Sequence, residues 1–451
     1  MDAQQIEAIA KKAVETAGKW QDLANKLITS EEKGIREQMR RLLTHPMDKV
    51  VLGKMIDQCF RPHDPGRVAD QVNSILKEYG TPDFFSSFEK VLVQMFMGFG
   101  RHLPALSVPK FIEKMRESSS RAIIAGEKDA LHAYLEKRKD QGVRVNINHL
   151  GEAVLGEDEA LHRLEMYIED LRNPRVEYIS VKISTIYSQI QSIAFDHTVE
   201  VLTDRLSQLY QAALENVFVR RDNEAVPKFV NLDMEEYRDL EITCEAFRRT
   251  LDREAFKSFS AGIALQAYLP DSYQIQKELT AWARKRVAAG GSPIKIRIVK
   301  GANMEMEKIE STLFDWPLAP YDNKPDVDAN YKRMINFAME PRNIEAVRVG
   351  IASHNLFDMA YARELAVQNR VADRMSFEML EGMADHVLRA LVEGGENVLV
   401  YAPVATREHF INAIAYLIRR LDENTADENF LRFAPFLMTG SKEWCSLADL
   451  F

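Results

Sequence analysis

Glu177-Tyr178-Ile179-Ser180-Val181-Lys182-Ile183-Ser184 reads as a strand whose two faces differ in kind. Ile179, Val181 and Ile183 share one face and Ser180, Lys182 and Ser184 the other, because side chains alternate along a strand. The branched face suits packing under helices, so Lys182 is expected to point inward near the strand's end. Ile294-Lys295-Ile296-Arg297-Ile298-Val299 repeats the pattern, with Lys295, Arg297 and Val299 opposing the isoleucines. Further short β-like runs stand at Arg144–Leu150, Lys228–Leu232, Ile263–Leu269, Val347–Ser353, Met375–Leu380 and Val398–Tyr401. Amphipathic helical stretches separate most of them, such as Asp196–Val217, Met234–Leu251 and Asp271–Ala289. Strands and helices alternating over about 290 residues have the count and size of a TIM-like (β/α)8 barrel, an α/β fold. An open doubly wound sheet fits less well, since neither G-x-G-x-x-G nor G-x-x-x-x-G-K-S/T occurs.

Before about Arg144 the chain reads as helices only. Met1 to Ile28 has helical spacing of apolar residues, and Thr29-Ser30-Glu31-Glu32 is a capping-box pattern. Thr81-Pro82-Asp83 and Ser107-Val108-Pro109 look like helix starts. The expected organisation is a helical arm-like domain over 1–140, the barrel over 141–435, and a tail or truncated linker over 436–451. A net charge of −9 argues against a protein that grips nucleic acid. No run approaches the ~20 apolar residues of a membrane span, and Met1-Asp2-Ala3-Gln4-Gln5 lacks a secretion-signal layout. Cys59, Cys244 and Cys445 are scattered, which argues against a disulfide framework or structural zinc. The expectation is a cytoplasmic protein.

In a barrel the strands are buried on both sides, so a charged side chain there must reach a polar mouth or a partner. Glu152, Lys182, Asp233, Gln266, Arg297, Lys300, His354, Glu378 and Tyr401 fall near the carboxyl ends of successive strands, the end that carries the active site in this architecture. Each alone also reads as scaffold; their convergence is the signal. The set is cationic and rich in hydrogen-bonding groups, without histidine spacings that suit a metal, so no metal site is expected. Further on, Tyr416-Leu417-Ile418-Arg419-Arg420 puts adjacent arginines about 100° apart on a helix that follows the eighth strand. Guanidinium forks there suit a small carboxylate. Residue chemistry thus leads to an anion-binding barrel mouth with a ring of groups suited to a polar cofactor.

At these positions the sequence resembles the proline dehydrogenase domain of the bifunctional proline utilization A family. The matching segments run in order: Leu150-Gly151-Glu152-Ala153, Val181-Lys182-Ile183-Ser184, Asn231-Leu232-Asp233, Leu265-Gln266-Ala267-Tyr268, Arg297-Ile298-Val299-Lys300-Gly301-Ala302, Ser353-His354-Asn355, Tyr401-Ala402-Pro403-Val404 and Tyr416 to Leu421. The resemblance implies FAD-dependent oxidation of L-proline to 1-pyrroline-5-carboxylate by hydride transfer to flavin N5, with electrons passed to a membrane quinone. It implies that Arg419, Arg420 and Lys182 bind the substrate carboxylate, that Tyr401, Tyr416 and Leu380 wall the pocket, and that Asp233 orients the network around Lys182 and the amine. Arg297 and Gln266 would sit at the isoalloxazine; Met234, Lys300, Gly301, Ala302, Ser353 and His354 match other FAD-contacting positions; Glu152 matches a gate residue that pairs with the first arginine. The quinone implies transient association with a membrane surface.

One departure concerns the pocket: where the family often has an aromatic pair after Lys-Gly-Ala, this chain has Asn303-Met304, losing an aromatic wall. Nothing supplies the aldehyde dehydrogenase domain of the bifunctional relatives or a DNA-binding ribbon-helix-helix segment. Alternative readings are a flavin barrel for hydroxyproline or another cyclic amino acid, and a non-catalytic anion-binding barrel. The oligomeric state is open at this level. Arg420→Ala is expected to raise the KM for L-proline by about 10–100-fold, the worth of a charge-assisted hydrogen bond, while flavin stays bound. Unchanged steady-state kinetics would refute the carboxylate role.

Overall fold

Ile179, Val181, Ile294, Ile296 and Ile298 are each no more than 1% exposed in the computed structural model of the protein. The structure describes residues 3–451 apart from 60, 61, 63, 84, 86, 99–101, 152, 153, 411, 412, 414, 415 and 417–428. Eight parallel strands are β1 (Arg144–His149), β2 (Tyr178–Lys182), β3 (Phe229–Asp233), β4 (Gly262–Gln266), β5 (Ile294–Val299), β6 (Val347–Ala352), β7 (Met375–Leu380) and β8 (Val398–Ala405). Each pairs with the next in sequence, and β8 returns to β1 with Val400 opposite Val145 and Val404 opposite His149. The expected (β/α)8 barrel is therefore the observed fold. Lys295 and Arg297 of β5 bond to side chains on β7, β3 and β2, none of them a neighbouring strand, which fixes their face as the barrel interior.

Several boundaries differ from the sequence reading, each for a local reason. β2 stops at Lys182 rather than Ser184, because Ile183–Ile186 forms a helical turn in which Thr185 Oγ1 donates to the Lys182 carbonyl (2.7 Å). β4 stops at Gln266, whose carbonyl accepts the Leu269 N–H (3.2 Å). The helix expected from Met234 begins at Leu240, after a loop and a 3-10 turn at Tyr237–Asp239. β8 runs on to Ala405 because β1 and the short strand Ile124–Ala125 pair with its far end. A hairpin at Val217–Val219 and Ala225–Pro227 turns through Asn223, a left-handed residue. Pro109 lies inside the helix Pro104–Ser119 and does not start one, because Pro104 already occupies the first turn. Nor does Thr81-Pro82-Asp83 open a helix; the next one is Ser87–Gly98.

The helices ahead of the barrel serve two cores. Ile9, Ala13, Ala17, Trp20 and Ala24 make a buried stripe along Ala3–Lys26, at spacings of three and four residues. That stripe packs on Leu356–Gln368 and Asp385–Glu393, so the first helix belongs to the barrel's own core. The next helix, Ser30–Thr44, starts with the anticipated box: Glu32 N–H donates to Thr29 Oγ1 (3.3 Å) and Thr29 N–H to the Glu32 carboxylate (2.7 Å). The helices Pro46–Cys59, Pro65–Tyr79, Ser87–Gly98 and Pro104–Ser119 build a second core, against which Leu150 and Tyr416 pack near the strands' carboxyl ends. Lys442–Leu450 docks Trp444 on Phe357, ring centroids 4.8 Å apart.

Trp20 meets Phe377 of β7 edge to face at 5.7 Å and is 7% exposed. Trp20→Ala leaves a cavity between arm and barrel, and chemical denaturation should register a loss of about 3–5 kcal/mol. A loss below about 1 kcal/mol would mean that the helix is not part of the barrel's core.

Candidate active site

Alternation on five strands delivers one polar web to the carboxyl end of the barrel. Asp233, the last residue of β3, uses both carboxylate oxygens. Oδ1 accepts from Arg297 Nη2 and from Asn231 Nδ2 (3.1 Å), and Oδ2 accepts from the Tyr401 hydroxyl (2.6 Å). Arg297 Nη1 also reaches Ser180 Oγ (3.4 Å), which accepts from Asn146 Nδ2 (2.9 Å). The guanidinium lies 5.1 Å from the Tyr401 ring centre, a cation–π contact. Asp233 and Arg297 are each 6% exposed, so the pair is tolerable only because its members are paired and hydrogen-bonded. Burial works against the Arg297 charge, but Asp233 and Glu378 outweigh it and raise its pKa. Burial and then Asp233 push the Tyr401 phenol well above its ordinary value, so it stays a donor.

Lys182 stands opposite Asp233 in the β2–β3 register, yet its ammonium pairs with Glu235 (3.4 Å) in the loop beyond β3. That loop is braced by Gln266 Nε2, which donates to the carbonyls of Met234 and Glu235, both at 3.2 Å. Asn303, read from sequence as a lost aromatic wall, also donates to the Glu235 carbonyl (3.1 Å) and so ties two loops of the mouth together. Gly301 holds φ +104, and a Cβ there would lie 1.9 Å from Tyr268 Cδ1; only glycine fits. Lys300 is clamped between Asp328 (2.5 Å) and Asp358 (2.7 Å). Burial opposes its charge, but Asp358 and Asp328 raise its pKa overall. Gly301 and Ala302 are exposed at the mouth.

Leu380 stands opposite Tyr401 in register, and its N–H donates to His354 Nε2 (3.0 Å). Ser353 Oγ accepts the Asn355 N–H (3.0 Å) ahead of the helix Leu356–Gln368. Tyr416 is half-buried, near enough to Tyr401 to raise its pKa. The structure therefore brings Asp233, Arg297, Tyr401 and Tyr416 together, with Lys182, Met234 and Gln266 beside them; Lys300 forms a separate cluster with its aspartates. Glu152, Arg419 and Arg420 lie outside the described residues. The sequence reading did not single out Asn146, which its alternation with Val145 and Ile147 could have marked, whereas Glu235, Asp328 and Asp358 left no periodic signal, because the lysines they pair with stand on other elements. No cluster of three or more His, Cys, Asp or Glu among the described residues could hold a metal ion.

A family model described as "Proline dehydrogenase" matches residues 131–433. "Proline dehydrogenase 2" of Bacillus subtilis (strain 168) is 25% identical over 337 residues, covering 72% of this chain and 94% of that protein. The solved proline utilization A (PutA) from Corynebacterium freiburgense is 43% identical with a TM-score of 0.64, over 72% of this chain and 32% of that one. PutA from Bdellovibrio bacteriovorus, solved after inactivation by N-propargylglycine, gives a TM-score of 0.77 at 27% identity over 98% of this chain and 43% of that one. The chain thus spans nearly all of the Bacillus relative but less than half of either PutA chain.

Acids crowd one side of the mouth. Burial first, and then Glu235, raise the pKa of Asp239 to about 6; burial likewise raises that of Glu236. A carboxyl whose folded pKa exceeds its unfolded value contributes stability at low pH and loses it as pH rises through the folded pKa. For Asp239 that window runs from roughly 4, the unfolded value, to about 6. Asp239→Asn removes the buried charge, so it should be more stable than the parent by about 2–3 kcal/mol near pH 7.5 and equal to it near pH 4. Denaturation curves at the two pH values check this; a pH-independent difference would contradict it.

Proposed function

The chain belongs to the proline dehydrogenase family, and on that premise we propose that its barrel oxidises L-proline to 1-pyrroline-5-carboxylate with FAD at the carboxyl mouth. The observation that carries the reading is the web of Arg297, Asp233 and Tyr401 inside a barrel that the family model covers. Two features fit a flavin. Gln266 spends its amide N–H groups on two carbonyls, leaving Oε1 buried without a protein donor, an acceptor suited to an imide N–H. Gly301 presents bare backbone over Tyr268, where any side chain is excluded.

FAD, when bound, supplies the two-electron acceptor that takes hydride from the ring carbon next to nitrogen. The protein's residues do the rest by position and charge. Arg297, held protonated, places fixed positive charge where electron density develops, without reorganising during the reaction. Asp233 fixes that guanidinium and the Tyr401 hydroxyl at once, so the pocket wall and the cation move as one body. Met234, Lys300, Gly301, Ala302, Ser353 and His354 would hold the cofactor's length. Lys182, Arg419 and Arg420 would take the substrate carboxylate, with Leu380, Tyr401 and Tyr416 as walls and Glu152 as the gate. A carboxylate entering the site would exchange with Glu235 for the Lys182 ammonium.

A membrane quinone is the proposed electron acceptor, reached by transient contact with the membrane surface from the cytoplasmic side. No described helix is long and apolar enough to cross a membrane. Protein reconstituted with FAD is expected to be yellow. Anaerobic L-proline should bleach it, with one 1-pyrroline-5-carboxylate formed per flavin. Protein that cannot take up FAD, or a flavin spectrum indifferent to proline, would overturn the reading.

A further inference from the structure

Below the web of Asp233 and Arg297 lies a second buried ion pair. Lys295 and Arg297, two residues apart on β5, both face the interior and are 7% and 6% exposed. Glu378 reaches them from β7 and is 4% exposed. One oxygen, Oε1, lies 2.6 Å from Lys295 Nζ; the other, Oε2, lies 3.6 Å from Arg297 Nη1. Lys295 also donates to Ser376 Oγ (3.1 Å) and stands 5.3 Å from the Tyr178 ring centre.

β6 runs between β5 and β7, and the carboxylate crosses it only because the inward residue there is Gly350. A Cβ on Gly350 would lie 2.2 Å from Glu378 Oε1 and 2.9 Å from Lys295 Cε. Its requirement is space, not an unusual backbone conformation. The result is a chain of alternating charge, Lys295–Glu378–Arg297–Asp233, that runs upward to the Tyr401 hydroxyl and sums to zero. Burial lowers the Lys295 pKa, and Glu378 is the group that opposes this.

We propose that Glu378 is a positioning residue for Arg297: it neutralises Lys295, steers the guanidinium toward Asp233, and thereby sets how much positive charge a bound flavin feels. The inference rests on the flavin reading above and extends it to a strand-end acid that lies one layer below Leu380 and Tyr401. Buried charges act over several ångströms in such an interior, so the sign of the effect can be forecast. Glu378→Gln strips the counter-ion and, at a pH low enough to keep Lys295 protonated, leaves an extra cation under the cofactor, which favours the reduced flavin. Lys295→Met leaves the carboxylate in excess and favours the oxidised flavin. The double variant replaces the pair as a unit and restores neutrality.

The test is the midpoint potential of the FAD-loaded protein at pH 6, read spectroscopically without turnover. Glu378→Gln should shift the reduction equilibrium about tenfold toward reduced flavin, or ~30 mV for a two-electron couple. Lys295→Met should shift it by a similar factor the other way, and the double variant, neutral like the parent, should return to within about threefold of it. If Glu378→Gln does not fold, the Lys295→Met shift and its reversal in the double variant carry the test. Shifts of the same sign in both single variants, or no shift in a flavin-loaded protein, would overturn the proposal alone. A parent that binds no FAD would overturn it together with the flavin reading.

Discussion

A closed parallel barrel must fill its own interior, and here the filling includes charges. A carboxylate as buried as that of Asp233, 6% exposed, is tolerable only with donors on both oxygens, and Arg297, Asn231 and Tyr401 supply them. Those donors come from three strands, so satisfying one carboxylate fixes the relative positions of β3, β5 and β8. Ser180 and Asn146 extend the constraint to β2 and β1. The register of the mouth follows from this single requirement. A one-residue slip of any strand would turn its polar residue out among the helices.

Layering keeps the charge inside the barrel balanced: Asp233, Arg297, Glu378 and Lys295 alternate in sign inward from Tyr401. The loops around the mouth are built differently. Amide side chains hold carbonyls at Glu235 and Met234, and paired aspartates hold the Lys300 ammonium. On the proposed reading, an anion reaching Lys182 or Lys300 would meet an ammonium already paired, so that binding would be an exchange of partners rather than simple charge attraction.

Strand parity made most of this legible from sequence. Lys295 and Arg297 alternate with isoleucines, and that alternation alone places them inside; the same holds for Lys182. Glu378 was legible as a strand-end acid but not as the partner of Lys295, because the contact crosses an intervening strand through Gly350, and no local pattern reports a missing side chain on a neighbour. Asn303 read from its type as a lost aromatic wall; its bond to the Glu235 carbonyl was not legible, because a partner in another loop leaves no pattern in the sequence. Pro109 and Met234 misled on helix starts because tertiary contacts and an earlier proline had already settled where those helices begin. The two-residue strand Ile124–Ala125 is too short to leave any periodic trace.

The helix Ala3–Lys26 buries its apolar stripe on Leu356–Gln368 and Asp385–Glu393, elements more than 300 residues downstream. Barrel closure between β1 and β8 joins residues about 250 apart in the chain, Val145 with Val400 among them. During synthesis, neither surface has its partner until the intervening residues have been made. The apolar stripe of this helix therefore stays uncovered until the segments it packs on have been made, and over that interval the nascent chain is exposed to chaperones and to aggregation.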